Sequence, residues 1–263
     1  MIKTLAAANR SERERFKIPR TVQQSIPVQR IFRGGIWQSG GKFSQTWRFS
    51  DINYSLASHE DQEDMCRSYC AVLNSLPTDA ATKITINNRR LNGADFQRSV
   101  LMGQQGDGLD VYRREYNAVL TEKATASNNL IQDKYITVSV PRKGIDEARA
   151  FFHQVDADLS KNLGRLDSRA QMLDNQERLR IFHDFFRPSG EQDFRFDLEA
   201  AMRWGHHFKD YIAPNGMRFH KNYFEIGDKF GRALMLYGYA SYIKDSMITE
   251  LCDFPRSLIL SID

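Results

Sequence analysis

Residues 34–44 read GGIWQSGGKFS, inside the aromatic-rich run IFRGGIWQSGGKFSQTWRFS (31–50). Two glycine pairs and a Gly-Lys step imitate a phosphate-binding loop. Such a loop needs G-x-x-x-x-G-K-[ST] between a strand and a helix, so that the helix N-terminus directs N–H groups at the phosphate. Anchored on Gly41-Lys42, its first glycine falls at Ile36 and its metal-binding hydroxyl at Phe43, so both key positions are wrong. Downstream of Lys42 no helix is expected either. Phe43, Gln45, Trp47 and Phe49 alternate with polar positions, the period of a strand. The glycines then supply the positive φ of a turn, and the stretch reads as a hairpin tip. The other glycine cluster, MGQQGDG (102–108), lacks the lysine and reads as a loop.

Working outward, a helix is expected after Ser58, with Asp61 three residues on and Glu60, Asp61, Glu63 and Asp64 placed favourably for the helix dipole. Met65, Tyr69, Val72, Leu73 and Leu76 form its apolar stripe, Pro77 ends it, and KITINN (83–88) is a strand. A second helix covers 109–123, with Leu109, Tyr112, Tyr116, Val119 and Leu120 on its apolar side. The strand KYITVSV (134–140) stops at Pro141. From Ile145, Ala148, Phe152, Val155, Leu159 and Leu163 mark a helix ending near Gly164. SRAQML (168–173) reads as a short strand, with helix the alternative. Asp174 and Glu177 form a capping box for a helix through LRIFHDFFR to Pro188.

RPSGEQD (187–193) reads as a linker. Beyond it come a helix around 197–210 and strands at KNYFEI (221–226) and RALMLYGYA (232–240). A short helix with Met247, Ile248 and Leu251 and the strand SLILSI (257–262) complete the order. Hairpin, helix and strand thus occur at 30–87 and again at 221–262. Both helices end on one signal, Leu73-Asn-Ser-Leu76-Pro77 and Leu251-Cys-Asp-Phe254-Pro255. The expected class is α+β: mainly antiparallel sheets with helices packed on one face, in two related ββαβ-type units. The expected division is a basic N-terminal arm at 1–33, a first unit at 34–190 and a second at 191–263, truncated at its C-terminal end.

Composition agrees with a globular chain: 41% hydrophobic and 27% charged among 263 residues. No apolar run approaches the roughly 18 residues of a membrane span. MIKTLAAANR has an apolar core of only about five residues, too short for a signal peptide. Three cysteines offer no disulfide framework and point to a reducing, cytoplasmic setting. Residues 1–33 hold eight Lys/Arg against Glu12 and Glu14, a charge of +6, so the net +4 leaves −2 for the body. Such an arm suits nucleic acid, an anionic membrane face or an acidic partner, or is simply a solvated terminus.

No constellation nominates a site. Cys66 and Cys70 lie i, i+4 beside the apolar stripe and read as buried small hydrophobes, since two ligands do not hold a metal. His206 and His207 point about 100° apart on a helix, one expected outside and one against the core, with His220 further on. No nucleophile elbow is present. The acidic pairs Asp156/Asp158 and Asp107/Asp110 read as solvated surface. No catalytic, nucleotide-binding or metal residue and no cofactor is expected, so this chain is not read as an enzyme. Arg89-Arg90, Arg113-Arg114 and Arg178/Arg180 are basic, but acidic residues neighbour the latter two. The near-neutral body is not expected to bind nucleic acid directly.

Several long phrases carry a family resemblance: FKIPRTVQQSIPVQRIFRGGIWQSGGKFSQTWRFSDINY (16–54), LNSLPTDAATKITINNRRL (73–91), QERLRIFHDFFRPSG (176–190) and GRALMLYGYASYIKDSMITELCDFPRSLILSID (231–263). They resemble the N-terminal region of conjugal-transfer ATPases of the CagE/TrbE/VirB family, in the branch carried by integrative conjugative elements of Gram-positive bacteria. In that family this region precedes a RecA-like motor that holds the phosphate-binding loop. None of the motor's nucleotide-binding residues has a match here. The resemblance implies a docking and assembly role at the cytoplasmic base of a type IV secretion machine. Its implied contacts are inner-membrane components, neighbouring ATPase subunits and, peripherally, the inner face of the membrane. The alternatives are a stand-alone DNA-binding accessory protein of conjugation that uses the basic arm, and an enzyme whose site these motifs miss, which a deep pocket lined by titratable groups would support.

Overall fold

The structure, a computed structural model, describes residues 21–90, 100–126, 130–187, 194–238, 241–242, 244–254 and 256–263. In chain order the elements are α1 (Val22–Ser25), β1 (Arg30–Ile31), β2 (Trp37–Ser39), β3 (Lys42–Phe49), α2 (His59–Asn74), β4 (Ala81–Arg90), α3 (Asp110–Ala126), β5 (Leu130–Pro141) and α4 (Ile145–Gly164). Next come β6 (Ala170–Met172), α5 (Asn175–Phe186), α6 (Leu198–Trp204), α7 (Phe208–Ile212), β7 (Met217–Phe219), β8 (Phe224–Ile226), β9 (Lys229–Gly231), α8 (Asp245–Cys252) and β10 (Leu258–Ile262).

The hairpin tip is as expected. Ser39 pairs Lys42 across Gly40 and Gly41, whose φ of 54° and 78° meet the need for two successive left-handed residues in a two-residue turn. On its other edge β3 pairs not with β4 but with β5, and β5 pairs with β4. The main sheet runs β1-β2-β3-β5-β4-β10, with β6 joining β3. Every pairing is antiparallel. β3 and β4, each antiparallel to β5, are therefore parallel to each other and linked through α2. β5 and β6, each antiparallel to β3, are linked through α4. The order β6-β3-β5-β4 with two crossing helices is the split βαβ, or ferredoxin-like, plan. The α+β class with mainly antiparallel sheets holds.

Strand alternation decides which face is covered. Phe43, Trp47, Ile136, Val138 and Val140 point to the helix-bearing face, where they meet Val72 of α2 and Ala148, Phe152, Val155, Leu159 and Leu163 of α4. Trp47 is fully buried, and its indole N–H reaches Asp156 Oδ1 at 2.7 Å. Asp156 is thus an anchor for the core rather than solvated surface. The opposite face, with Ser44, Thr46, Tyr135, Thr137 and Ser139, is partly covered by α5.

A second core revises the expected division. Ile26, Val28, Trp37, Leu179, Phe196, Ala201, Phe208 and Ile212 pack together. Residues 21–33 are therefore no extended arm: α1 is capped by Thr21, Ile26 and Val28 are buried, and β1 joins the sheet. Residues 194–213 likewise pack against the first unit, not in a second one. The expected single helix at 197–210 is two, because Gly205 turns left-handed at φ 69° and His207 starts a new capping box. Part of the linker, 188–193, and residues 1–20 of the arm lie outside the described residues. Beyond Ile212 stand a three-stranded sheet, β7-β8-β9, then α8, and β10 at the edge of the main sheet.

Candidate functional site

The hairpin and α5 interlock, and this sets the shape of a cleft beside them. The capping box at Asp174 and Glu177 forms as expected: Glu177 N donates to Asp174 Oδ1 (2.8 Å) and Asp174 N to Glu177 Oε2 (3.2 Å). One turn on, Arg178 enters the interior. It donates to Gly35 O (2.6 Å), Ser44 O (2.9 Å) and Ser44 Oγ (3.1 Å), with its guanidinium 4.2 Å from the centre of the Trp37 ring. Burial lowers its pKa to about 9. Trp37 in turn donates to Asn175 Oδ1 (2.9 Å), and Asn175 Nδ2 donates to Phe32 O (2.8 Å). Arg178 is thus a structural brace between two backbone carbonyls and an aromatic ring.

Beside this brace lies a cleft of about 780 Å³. Its wall is the apolar side of α5, Ile181, Phe182 and Phe185, with Trp37 at the back. Its floor is a hydroxyl-rich strip of sheet, where Thr46 and Thr137 pair at 2.9 Å and Thr85 and Ser261 at 3.2 Å. Lys83 and Asp263 face each other at 3.1 Å. The lining holds no histidine or cysteine, and its carboxylate is already paired with a lysine. Paired hydroxyls without a base are not activated nucleophiles. The cleft can take an apolar surface against α5, but it presents no assembled chemistry.

The residues singled out from sequence are dispersed. Cys66 and Cys70 are exposed, against the expected burial. The reason is the width of the α2 stripe: Val72 is its one buried residue, Met65, Leu73 and Leu76 pack at its sides, and the cysteines fall on the flank. His206 and His207 are both exposed, again against expectation. His207 caps α7, its Nδ1 accepting from Lys209 N (3.2 Å), while His220 pairs with Glu225 at 2.9 Å. Among the described residues no three His, Cys, Asp or Glu side chains converge.

Asp107 and Asp110 are not merely solvated. Arg113 clamps both, and Asp110 also accepts from Gln105 N (3.0 Å) and Gly106 N (2.8 Å). The loop is thereby folded onto the start of α3. The Arg113 hydrogen bond holds the Asp107 carboxyl below its ordinary range. For Asp110 the Gln105 amide does most, with Arg113 next. Three of the basic candidates are occupied internally as well: Arg89 with Asp133 at 2.7 Å, Arg113 with its two aspartates, and Arg178 within the core.

What the sequence does not reveal is how much apolar surface stays open. Leu109, Tyr112, Tyr116 and Val119 line α3 as expected, yet they face solvent. The run 232–237 lies in no sheet, against the strand expected at 232–240. There Leu234, Met235, Leu236 and Tyr237 are 85%, 88%, 77% and 93% exposed. Contiguous apolar surface of this kind marks protein contact sites. β10 adds an uncharged edge, LILSI, which among the described residues is paired to β4 on one side only. A strand pattern looks the same in sequence whether its partner is present or not, so no signal could have separated 232–237 from a paired strand.

No described helix is long and apolar enough to cross a membrane. No family model matches the chain, and no curated protein matches it.

Proposed function

We propose that the chain is a non-catalytic docking and assembly domain of a conjugal-transfer, type IV secretion ATPase. In this role it contacts inner-membrane platform components and neighbouring subunits at the cytoplasmic face of the membrane, and the motor lies outside these 263 residues. The observation that carries the reading is the open apolar run Leu234–Tyr237, together with the unpaired edge of β10. Surfaces of this sort bind other polypeptides, whereas the cleft beside α5 presents paired hydroxyls and a lysine–carboxylate pair with no histidine or cysteine beside them. The quoted phrases that resemble the ATPase family support the choice of machine. Their phosphate-loop mimic is a hairpin tip, consistent with a domain that does not itself bind nucleotide.

The test is reconstitution. The tagged chain, co-expressed with inner-membrane components of a conjugal type IV secretion machine, should retain at least one of them through a high-salt wash. Calorimetry with Mg-ATP should give no binding heat. Retention of none of these components, or a micromolar ATP dissociation constant, defeats the proposal. Tighter retention of double-stranded DNA than of any component at equal salt transfers the role to the DNA-binding alternative.

A further inference from the structure

Arg178 carries a charge that its role as a brace leaves unanswered. It is only 6% exposed, yet its acceptors are all neutral: Gly35 O, Ser44 O and Ser44 Oγ. Buried charges are ordinarily paired. Here desolvation alone lowers the pKa, with no neighbouring carboxylate to oppose it, and among the described residues Arg178 has no ion pair. A guanidinium offers five N–H donors and these acceptors take three of them. Arg178 also belongs to the lining of the cleft beside α5, so a counter-ion has room to reach it.

Other polar groups gather at the same end of the cleft. Lys42 and Ser44 are successive positions on one face of β3, about 7 Å apart, and Lys42 has no ion pair among the described residues. Ser139 stands across from Ser44, and Ser39 across from Lys42. This end is built by the β2–β3 hairpin and by Ala81 beside Ser139. It lies outside the pairing of β10, which spans Ile84 to Asn88 of β4. Farther along, the wall turns apolar with Ile181, Phe182 and Phe185 of α5. The floor beneath makes no further polar demand, because Thr46 and Thr137, and Thr85 and Ser261, satisfy each other. Over the whole lining, Lys42, Lys83 and Arg178 stand against one carboxylate, Asp263, which is already the partner of Lys83.

We propose that this cleft binds a small amphipathic anion, with a carboxylate or phosphate head between Arg178 and Lys42 and an apolar body along Ile181, Phe182 and Phe185. The head supplies the missing counter-ion, accepting from the two spare N–H groups of Arg178 and from Lys42 Nζ. The brace stays intact, because it uses the other three N–H groups. A bare inorganic anion would leave the α5 wall wet, and a neutral apolar molecule would leave Arg178 uncompensated; an amphipath answers both. The cleft, about 780 Å³, falls within the ~300–1,000 Å³ of small-molecule sites. This inference goes beyond the docking role and does not depend on it.

Calorimetry on the full chain, below the micellar concentration of each probe, compares octanoate and octyl phosphate with 1-octanol and inorganic phosphate. At least one of the amphipathic anions should bind at one site per chain, at least about 10-fold more tightly than either control. The tighter of the two anions identifies the head. Lys42→Met, which changes an exposed side chain, should weaken the bound anion at least about 5-fold and leave octanol unchanged. Phe185→Ala should weaken anion and alcohol alike. In nitrogen-15 spectra the Arg178 Nε–H signal should move and exchange more slowly with the anion, but not with octanol. The proposal is overturned if neither anion binds below about 1 mM, or if octanol binds as tightly as octanoate and octyl phosphate. It is also overturned if the anions bind without moving the Arg178 signal or without responding to Lys42→Met. Retention of platform components is a separate readout, so either idea can fail alone.

Discussion

Gly35→Ala tests the interlock between the hairpin and α5, with Gly34→Ala as its internal control. Both glycines are left-handed, at φ 80° and 79°. A methyl group at either costs roughly 1–2 kcal/mol for that backbone conformation. At Gly34 nothing else lies within 4 Å of the added carbon, so the control should lose about that much and no more. At Gly35 the carbon would sit 2.2 Å from Leu173 O and 3.2 Å from both Asp174 Cα and Gln45 Nε2. The obstacle is backbone, and it cannot swing aside. Moving it disturbs Leu173 N–H to Thr46 O (2.9 Å), Gln45 Nε2 to Leu173 O (3.0 Å) and Arg178 to Gly35 O (2.6 Å). Overpacking costs about 1–3 kcal/mol and the three hydrogen bonds, stretched but not broken, together about 1 kcal/mol, so with the left-handed cost the total for Gly35→Ala is roughly 3–6 kcal/mol. At about 2–4 °C per kcal/mol, the midpoint should fall by on the order of 10 °C for Gly35→Ala and about 4 °C for the control. Urea unfolding with an unchanged m-value gives the comparison directly. If the two variants lose the same stability to within about 0.5 kcal/mol, α5 does not press on the hairpin as described.

Cys66 and Cys70 should react with a thiol reagent in the native chain nearly as fast as in urea, and Cys252 more slowly; protection of the first two would mean that α2 is rotated from its described face. Arg178→Met should cost about 2–4 kcal/mol, because Gly35 O and Ser44 O lose their donor inside the core. Arg178→Lys should rescue less than half of that, since an ammonium cannot span both carbonyls and the Trp37 ring; full rescue would reduce the residue to a bare charge. Asp107 and Asp110 titrate lower in the folded chain than in the unfolded one, so the support they give the 102–110 loop is present above the unfolded carboxylate value of about 4 and is lost as pH falls through their folded values. The protection of the Gln105 and Gly106 amides against exchange, taken relative to the intrinsic rate at each pH, should fall in that acid range, and already at neutral pH in Arg113→Met; protection indifferent to both would refute the clamp.

Much of the fold was legible because local chemistry announced it. Gly40-Gly41 specified a hairpin, Ser58 and Asp174 marked helix starts, Pro77 and Pro141 marked ends, and the period of Ala148, Phe152, Val155 and Leu159 gave the core side of α4. What local pattern could not state was which strands become neighbours. Nothing near Phe43 or Trp47 names residues 134–141 as their partner, so the interleaved sheet had to come from the structure. The position of residues 194–213 was hidden for the same reason: Phe196, Phe208 and Ile212 say only that they will be buried, not against whom. At the candidate surface the failure ran the other way. Tyr112, Tyr116 and Val119 on α3, and Leu234 to Tyr237, carry the signature of buried residues, yet the described fold leaves them open. The cysteines misled because a stripe one residue narrower than assumed leaves positions 66 and 70 outside it.

The interleaved sheet also bears on how the chain acquires its shape as it is made. β3 cannot find its central partner until β5 exists, about ninety residues later, which at about 5–20 residues per second is on the order of 5–20 s of synthesis. During that interval Phe43, Trp47 and Phe49 have only a short hairpin for shelter. α2 leaves the ribosome before β4 and β5 complete the sheet it will cover. The inserted segment between β4 and β5 prolongs the wait further, since it must be made before the longest pairing in the sheet can close. The nascent chain should therefore stay open to proteolysis and to chaperones until roughly residue 141 is free of the ribosome, and become resistant abruptly rather than by degrees. Pairing of β10 with β4 comes last, across more than 160 residues, as the final addition to a sheet already formed.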